Sequence, residues 1–374
     1  MKLRDLSLAI ALFAICAFFA IESPQFLSAR NLSQLMIDFS ITATLAIGML
    51  LVILPGHIDL SAGSGVGLIG GIAAVLVTNH HWPAPFALMA GLAVALVLWC
   101  AMGSLIVRER IPAFIITLGG LLVFKGLFWR VINYHTVPVV AGGHSNLYSL
   151  LTTYYLPAQA GYAIAAVVVA GFLIVHLRAR TARKQRGFEV DNSELTFLRL
   201  FIFAQVILLF VIVTNQFRGV PLPALILGAV SLGVWVITQH TPFGRYLYAI
   251  GGNEEAAVLS GIPVEIVTTG AFVLMGAIVA LTGFLETAYG GNSTTTVGDL
   301  MELDAVAACV IGGVSLKGGR GSVPGVLFGA LIMACLLNGM VLLSVETANK
   351  FMARGFVLIL AVWMDVRLAR SRVG

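Results

Sequence analysis

The sequence predicts an all-α protein that crosses a membrane many times. Apolar residues make up 59% of its 374 residues and charged residues only 10%, against roughly 45–50% and about 25% in soluble domains. So few charges cannot cover a globule with polar surface, which excludes a water-soluble enzyme, a disordered scaffold and a disulfide-framed secreted protein. The apolar residues also gather in segments near the ~20 residues that cross a bilayer.

Twelve apolar segments follow one another along the chain. Several approach bilayer length, whereas the shorter ones are interrupted by Gly or Pro, and such broken helices survive at membrane depth only inside protein or beside a cavity. We therefore expect about 10–12 transmembrane helices, some of them short or broken. In chain order the segments are residues 6–21, 39–54, 58–78, 85–107, 112–132, 160–177, 197–214, 219–237, 266–288, 303–316, 323–344 and 351–366.

The basic residues favour one orientation, because Lys and Arg accumulate in cytoplasmic loops. If both termini are cytoplasmic and all twelve segments cross, every basic cluster falls inside the cell, so the net charge of +5 indicates orientation and not nucleic-acid binding. The first segment resembles a signal peptide but lacks a small-residue cleavage site, and we expect it to be retained. The basic groups are Lys2/Arg4, Arg108/Arg110, Arg178/Arg180/Arg183/Lys184/Arg186, Arg245, Lys317/Arg320 and Arg367/Arg370/Arg372.

No soluble domain is predicted, so residues 1–374 form a single transmembrane domain. Residues 133–159, which contain Pro138, Gly142, Gly143 and Pro157, are expected to be a surface loop. Residues 178–196 are too charged and too short to bury a core. The remaining long polar stretch, residues 238–265, has a pattern of its own.

Residues 253–261 read as a short capped helix at the membrane surface. Asn253 is a good N-cap, and Glu254 and Glu255 place carboxylates in the first turn, where they favour the positive end of a helix. Four helix-favouring residues follow before Gly261 and Pro263 stop the helix. The pattern alone leaves two interpretations open, an ordinary loop helix or a docking element.

Signs of chemistry within the chain itself are few. Cys16, Cys100, Cys309 and Cys335 all lie in apolar runs without metal-ligand spacing, so we expect them to pack as small hydrophobic residues. The glycine-rich run GGVSLKGG lacks the Gly-Lys-Ser/Thr ending of a phosphate-binding loop, and no hydrolase or metalloprotease motif is found. The sequence therefore predicts no enzyme, no cofactor and no metal site, and any energy must come from a partner.

Four stretches resemble the permeases of sugar-type ABC importers, the ribose, galactose and xylose permease family. Glu255-Ala256-Ala257 followed by Gly261 matches the Glu-Ala-Ala-x-x-x-Gly coupling loop. The runs LVILPGHIDLSAGSGVGLIGG at 51–71 and ELDAVAACVIGGVSLKGGRGSVPG at 302–325 are similar to two further family signatures, as is the run LAVWMD at 360–365. The segment 133–218, an extra loop with two extra spans, is most similar to the longer, xylose-type members.

The resemblance implies a function and a set of partners. It implies a permease in the bacterial inner membrane that passes a monosaccharide, most like xylose, with an ABC ATPase subunit, a periplasmic sugar-binding protein, a second copy of the chain and membrane lipid as partners. The loop at 238–265 would then insert into the ATPase. The alternative, an ion-coupled secondary sugar transporter, should place several acids or histidines in mid-span. The implied coupling residues are Arg245, Gly252, Asn253, Glu254, Glu255, Ala256, Ala257 and Gly261.

Polar groups near membrane depth are the candidates for the sugar pathway. Asp59, beside Ser61 and Gly63, is either a hinge or pathway element or a cap for the following helix, since Asp caps well. The stretch 312–321 echoes 56–65 in its spacing of glycines, which leaves an internal repeat and a chance likeness both open. The other candidates, whose ordinary placement at an interface is the competing interpretation, are Glu286, Asn292, Glu302, Asp304 and Asn338.

Overall fold

The computed structural model describes residues 3–140, 144–187 and 193–370, within which the chain folds into helices joined by short connections. Lys2, Gly142, Gly143 and Arg372 lie outside the described residues. A single-turn 3-10 helix, Pro24–Leu27, joins the first two α-helices. The α-helices are α1 Leu3–Glu22, α2 Ala29–Ile53, α3 Ala62–Thr78, α4 Ala84–Arg108, α5 Ala113–Val131, α6 Leu147–Thr153, α7 Ala158–Gln185, α8 Ser193–Asn215, α9 Leu222–His240, α10 Pro242–Gly252, α11 Glu254–Leu259, α12 Val264–Gly290, α13 Met301–Ile311, α14 Val323–Leu342 and α15 Thr347–Arg370.

The predicted all-α membrane architecture is confirmed. Eight helices of the described chain are long and apolar enough to cross a bilayer, namely α2, α4, α5, α7, α8, α9, α12 and α14. Two shorter apolar helices, Leu8–Glu22 and α3, accompany them, and each of the twelve predicted segments contains a helix. The segment predicted at 303–316 holds only the 11 residues of α13, which at ~1.5 Å per residue reach about half of a bilayer core.

The stretch at 133–159 is more ordered than its Pro and Gly content predicts. Strand β1, Val137–Pro138, pairs antiparallel with β4, Asn292–Ser293, and β2, Tyr155–Leu156, pairs with β3, Val220–Pro221. Between β1 and β2 lies α6, whose Tyr148 is fully buried and donates its hydroxyl to the Gly70 carbonyl at 2.9 Å. A surface loop is therefore an incomplete description, because one aromatic anchor and two strand pairs fix this stretch to the bundle.

The bundle has two distinguishable ends. Because α10 and α11 connect α9 to α12, they lie at one end, which we call the α10–α11 end, and the opposite end is called the far end. At the centre, α2 is buried from Ala43 to its end and packs against α12, α13 and α14. The pair α7 and α8 lies at the periphery with largely exposed faces, joined by contacts such as the stacked rings of Phe172 and Phe203, 4.0 Å apart.

One face of α3 consists of glycines that let other backbone segments approach it closely. A Cβ on Gly70 would lie 2.6 Å from the Gly283 carbonyl of α12, and one on Gly67 would lie 2.5 Å from the Val297 carbonyl. The connection at 291–300 therefore runs down the side of α3 into the bundle before α13 begins. Close backbone approach of this kind is what small residues permit in membrane proteins, where no solvent is expelled to drive packing.

The glycine face of α3 gives a matched test of this packing. Gly70→Ala should lower the free energy of unfolding by about 1–3 kcal/mol, because a methyl group there meets backbone that cannot move aside. Gly126→Ala, on α5, is the control, since nothing lies within 4 Å of its Cβ position. The measurement is the midpoint of thermal unfolding in detergent, followed by size-exclusion chromatography. Equal midpoints for the two variants would show that α3 and α12 are not in backbone contact.

Candidate functional site

The short helix at the α10–α11 end has the caps that the sequence predicts. The Asn253 side chain accepts the Ala256 amide at 2.9 Å, and α11 then runs over Glu254–Leu259. Gly261 adopts a φ of +78°, a left-handed conformation that L side chains rarely adopt. Glu254 and Glu255 lie exposed in the first turn, so the helix is defined by its own local sequence.

The last turn of α11 presents apolar side chains to solvent. Leu259 is 89% exposed and Val258 is also exposed, whereas Ala257 is buried against the rest of the chain. Asn253 and Arg245 are exposed as well. The two aliphatic side chains, ringed by polar residues, form a small protruding surface, while Ala257 supports it from beneath.

The helix α10, which the sequence reasoning did not predict, carries α11. Its N-cap Thr241 accepts the Gly244 amide at 3.2 Å. Leu247 and Ile250 face inward and are buried, so the helix lies with one face on the bundle. The signal that could have revealed it is the three-residue spacing of these inward positions together with Pro242 at the first helical position.

Glycines at the end of α10 make backbone contacts with two other segments, the connection that follows α2 and the loop that follows α13. The Leu54 carbonyl, just past α2, accepts the Gly319 amide at 2.9 Å. A Cβ on Gly251 would collide with that same carbonyl, and one on Gly318 would lie 2.8 Å from the Gly251 Cα and 2.9 Å from the Gly56 amide. We call this junction of Leu54, Gly56, Gly251, Gly318 and Gly319 the glycine seat.

Polar contacts reinforce the glycine seat. The Tyr248 hydroxyl of α10 donates to the Gly321 carbonyl at 2.9 Å, and burial raises the pKa of this phenol, which keeps the donor protonated. His57, in the connection after α2, has its pKa lowered by burial, and the charge of Glu254 in α11 opposes that shift. Thus α10 and α11 together interact with both of the stretches that share the same glycine spacing, residues 56–65 and 312–321.

Asp59 lies in a closed pocket in the connection between α2 and α3. Its Oδ1 accepts the Ser61 amide at 2.8 Å and the Ser61 hydroxyl at 2.6 Å, and its Oδ2 accepts the Trp99 indole N–H at 2.7 Å. Asp59, Ser61 and Trp99 have no exposed surface. The carboxylate therefore closes the break before α3 and ties it to α4, and its direct part in a pathway stays a prediction.

The other candidate residues fall into separate places. The Glu302 carboxylate lies against Gly63, whose missing side chain makes room for it. Asp304 forms an ion pair with Arg354 of α15 at 3.3 Å. The Asn338 amide exchanges hydrogen bonds with Asn31 of α2 at 2.9 and 3.2 Å, and Asn292 lies in β4 at the far end.

Glu286 and Asp304 are brought together with partners that sequence reasoning missed. Glu286 lies within electrostatic range of Asp304, Asp38 and Arg354. Asp38 of α2 lies within electrostatic range of Tyr289. A charged residue inside an apolar span is itself a signal, which Arg354 carried in the predicted span 351–366. Asp38 lies just outside the predicted span 39–54, and nothing local indicated that both residues would lie near Glu286.

Comparison with known proteins identifies relatives over almost the whole chain. A family model described as branched-chain amino acid transport system / permease component matches residues 31–362. The xylose transport system permease protein XylH of Haemophilus influenzae is 40% identical over 357 residues, 95% of this chain and 94% of that protein, and XylH of Escherichia coli is 39% identical over 98% of this chain and 92% of its own length. The ribose import permease protein RbsC of Escherichia coli is 32% identical over 95% of this chain and 92% of its own length. No solved structure matches the chain.

The glycine seat can be tested with neighbouring glycines. Gly251→Ala should displace α10, because its methyl group would meet the Leu54 carbonyl, whereas Gly252→Ala has nothing within 4 Å. An overpacking cost of about 1–3 kcal/mol raises the exchange rate of amide hydrogens in residues 242–259 by roughly 5- to 150-fold. Hydrogen–deuterium exchange followed by mass spectrometry measures it. If both variants exchange alike, the seat is not a tight contact.

The Asp59 pocket predicts a specific non-additivity. The Asn side chain of Asp59→Asn can adopt two orientations. One places its NH₂ group against the Trp99 N–H, and the other places it against the Ser61 amide. Either orientation leaves a buried donor without an acceptor, at a cost of about 1–3 kcal/mol. In a Trp99→Phe background the first orientation meets no donor, so the further loss should be clearly smaller than in the native chain. Thermal unfolding of the four members of this double-mutant cycle gives the coupling. Strictly additive losses would contradict the hydrogen-bond assignment.

Proposed function

Because this chain belongs to the branched-chain amino acid transport system / permease component family, we propose that it is the membrane-spanning permease of an ABC importer that passes a pentose such as xylose. The observation that carries the proposal is the identity of about 40% to xylose permeases over at least 95% of the chain. Its apolar helices together with its permease relatives make it a multi-pass inner-membrane protein. The relatives are transport permeases and not enzymes, so energy comes from a separate subunit.

The proposed contact with an ATPase subunit is α11. Its exposed Val258 and Leu259 suit an apolar groove, and the carboxylates of Glu254 and Glu255 beside them suit basic residues at the rim of that groove. Ala256 is exposed on the same short helix, while Ala257 and Gly252 shape its base. The glycine seat then connects the docked helix to the C-terminal end of α2 and to the loop after α13.

The proposed substrate is a pentose, and the remaining partners follow from the transport system. Two relatives are named as xylose permeases and one as a ribose permease, which favours a five-carbon sugar. A periplasmic binding protein would deliver it at the far end, and a second copy of this chain, both surrounded by lipid, would complete the pathway. An ion-coupled secondary transporter gains no support from these relatives.

Reconstitution tests the proposed function directly. The chain is placed in proteoliposomes with an ABC ATPase subunit and a sugar-binding protein from the same organism, and uptake of radiolabelled D-xylose is measured with and without internal ATP. Uptake that needs both ATP and the binding protein is the expected result. Uptake driven instead by an ion gradient without ATP would establish the secondary-transporter alternative.

The tip of α11 gives a sharper prediction. Leu259→Asp should reduce co-purification of the ATPase subunit at least about tenfold, because an unpaired carboxylate in an apolar groove is strongly disfavoured. Leu259→Met, which keeps an apolar side chain of similar volume, is the matched control. Membrane abundance of both variants is measured in parallel. Retention of the ATPase by the Asp variant at normal abundance would place the docking surface elsewhere.

A further inference from the structure

A groove on the side of the bundle lies between α2, α8 and α14. It encloses about 250 Å³ and is lined between Leu32 and Phe39 on α2, between Val206 and Thr214 on α8, and by Leu331 of α14. Every lining side chain except Thr214 is apolar. The Thr214 hydroxyl donates to the Phe210 carbonyl of its own helix at 2.9 Å, so the groove offers no free hydrogen-bond donor to a ligand.

The groove matches one leaflet of a bilayer in position and length. Because α2 ends at the glycine seat and α8 leads through β3 into α9, the start of α2 and the end of α8 both lie at the far end. The lining at residues 32–39 and 206–214 covers about 10–12 Å along each helix at ~1.5 Å per residue. One leaflet of a ~30 Å hydrocarbon core is about 15 Å deep. The groove therefore runs from near the far-end surface towards the middle of the membrane.

The groove opens sideways, where the bilayer lies. Val206 and Leu209 on its α8 wall are each 62% exposed, whereas Leu35 on its α2 wall is buried. A helix with its side chains is about 10–12 Å across, which is too wide for this volume. A cavity of about 150 Å³ with aliphatic and aromatic walls holds benzene, so 250 Å³ suits a longer but equally slender alkyl chain.

Two arginines stand at the end of the helices where the groove begins. Arg30 lies two positions before Leu32 on α2, and Arg218 follows the end of α8. Both are exposed, and neither forms an ion pair with another residue that the structure describes. The Arg218 guanidinium lies 5.9 Å from the centre of the Tyr155 ring and 5.3 Å from that of Phe217. These rings hold the cation at the level where aromatic residues meet the membrane surface.

We propose that this groove binds one acyl chain of an anionic phospholipid whose phosphate pairs with Arg30 and Arg218. Guanidinium groups recognise phosphate through charge-assisted hydrogen bonds, and the apolar walls accept only a hydrocarbon tail. A single phospholipid has its polar and apolar parts in this same order, headgroup at the surface and tail towards the midplane. The site follows from the membrane location of the chain and is independent of the transported substrate.

Native mass spectrometry of the full chain tests the groove. The chain is purified in detergent, freed of lipid and titrated with dioleoyl phosphatidylglycerol, and the retained lipid molecules are counted. Leu209→Trp fills the groove from its α8 wall and should weaken retention at least about fivefold. Leu208→Trp is the matched control, because Leu208 is also exposed on α8 but is not among the lining residues. It should retain lipid as the native chain does.

The headgroup contact is tested by removing one charge. Arg218→Gln should weaken binding of phosphatidylglycerol about fivefold, since a basic residue at the membrane surface attracts anionic lipid. Arg130→Gln is the control, because Arg130 is an exposed arginine in the last turn of α5 at the same end of the bundle. Dioleoyl phosphatidylcholine, which has the same tails but no net charge, should bind the native chain about fivefold more weakly than phosphatidylglycerol.

Contrary results overturn the site. Equal retention of phosphatidylglycerol by Leu209→Trp and Leu208→Trp would show that the groove holds no acyl chain, and Val206→Trp on the same wall replaces Leu209→Trp if that variant is not monodisperse. Equal affinity of the native chain for phosphatidylglycerol and phosphatidylcholine would exclude the anionic headgroup. Loss of a dimer in Leu209→Trp with unchanged lipid retention would make the groove a contact between two copies of the chain.

Discussion

A bilayer core holds no water to satisfy backbone N–H and C=O groups, and this constraint decides where the chain can leave a helix. The chain does so before α3 and around α13, and the freed groups are met from within the protein. The Asp59 carboxylate takes the Ser61 amide at 2.8 Å, and the Leu54 carbonyl takes the Gly319 amide at 2.9 Å. The breaks are therefore stable only as long as these particular partners stay in place.

The same constraint explains why glycine occupies the junctions. Where one backbone packs directly on another, the two approach more closely than a Cβ allows, as at Gly251 against the Leu54 carbonyl and at Gly63 against the Gly298 carbonyl. A contact between backbones has no side-chain rotamers to absorb displacement. The position of α10 is consequently fixed against the C-terminal end of α2 and the loop after α13.

The sequence was sufficient wherever the determining interactions are local. The α11 helix was predicted from Asn253, its two following carboxylates and Gly261, because caps act within one turn. The inward direction of Ala257 was not predictable, since it depends on where α11 rests. Tyr148 was missed for a similar reason: its partner, the Gly70 carbonyl, lies 78 residues away, and the turn-forming residues around it indicated only a loop.

Long-range pairing also explains why the sequence indicated one of the two polar regions and not the other. Family-like motifs marked the α10–α11 end, but the polar group around Glu286 depends on Asp38 and Arg354, which come from helices far apart in the chain. Its geometry nevertheless joins the rest of the molecule through α13, whose first turn carries Glu302 and Asp304 and whose end leads into the glycine seat. Gly298 and Gly313, with φ of +83° and +80°, flank this helix of 11 residues. A helix of this length between two glycine turns covers only part of a bilayer core, so the chain passes from the acidic first turn of α13 to the glycine seat without completing a span.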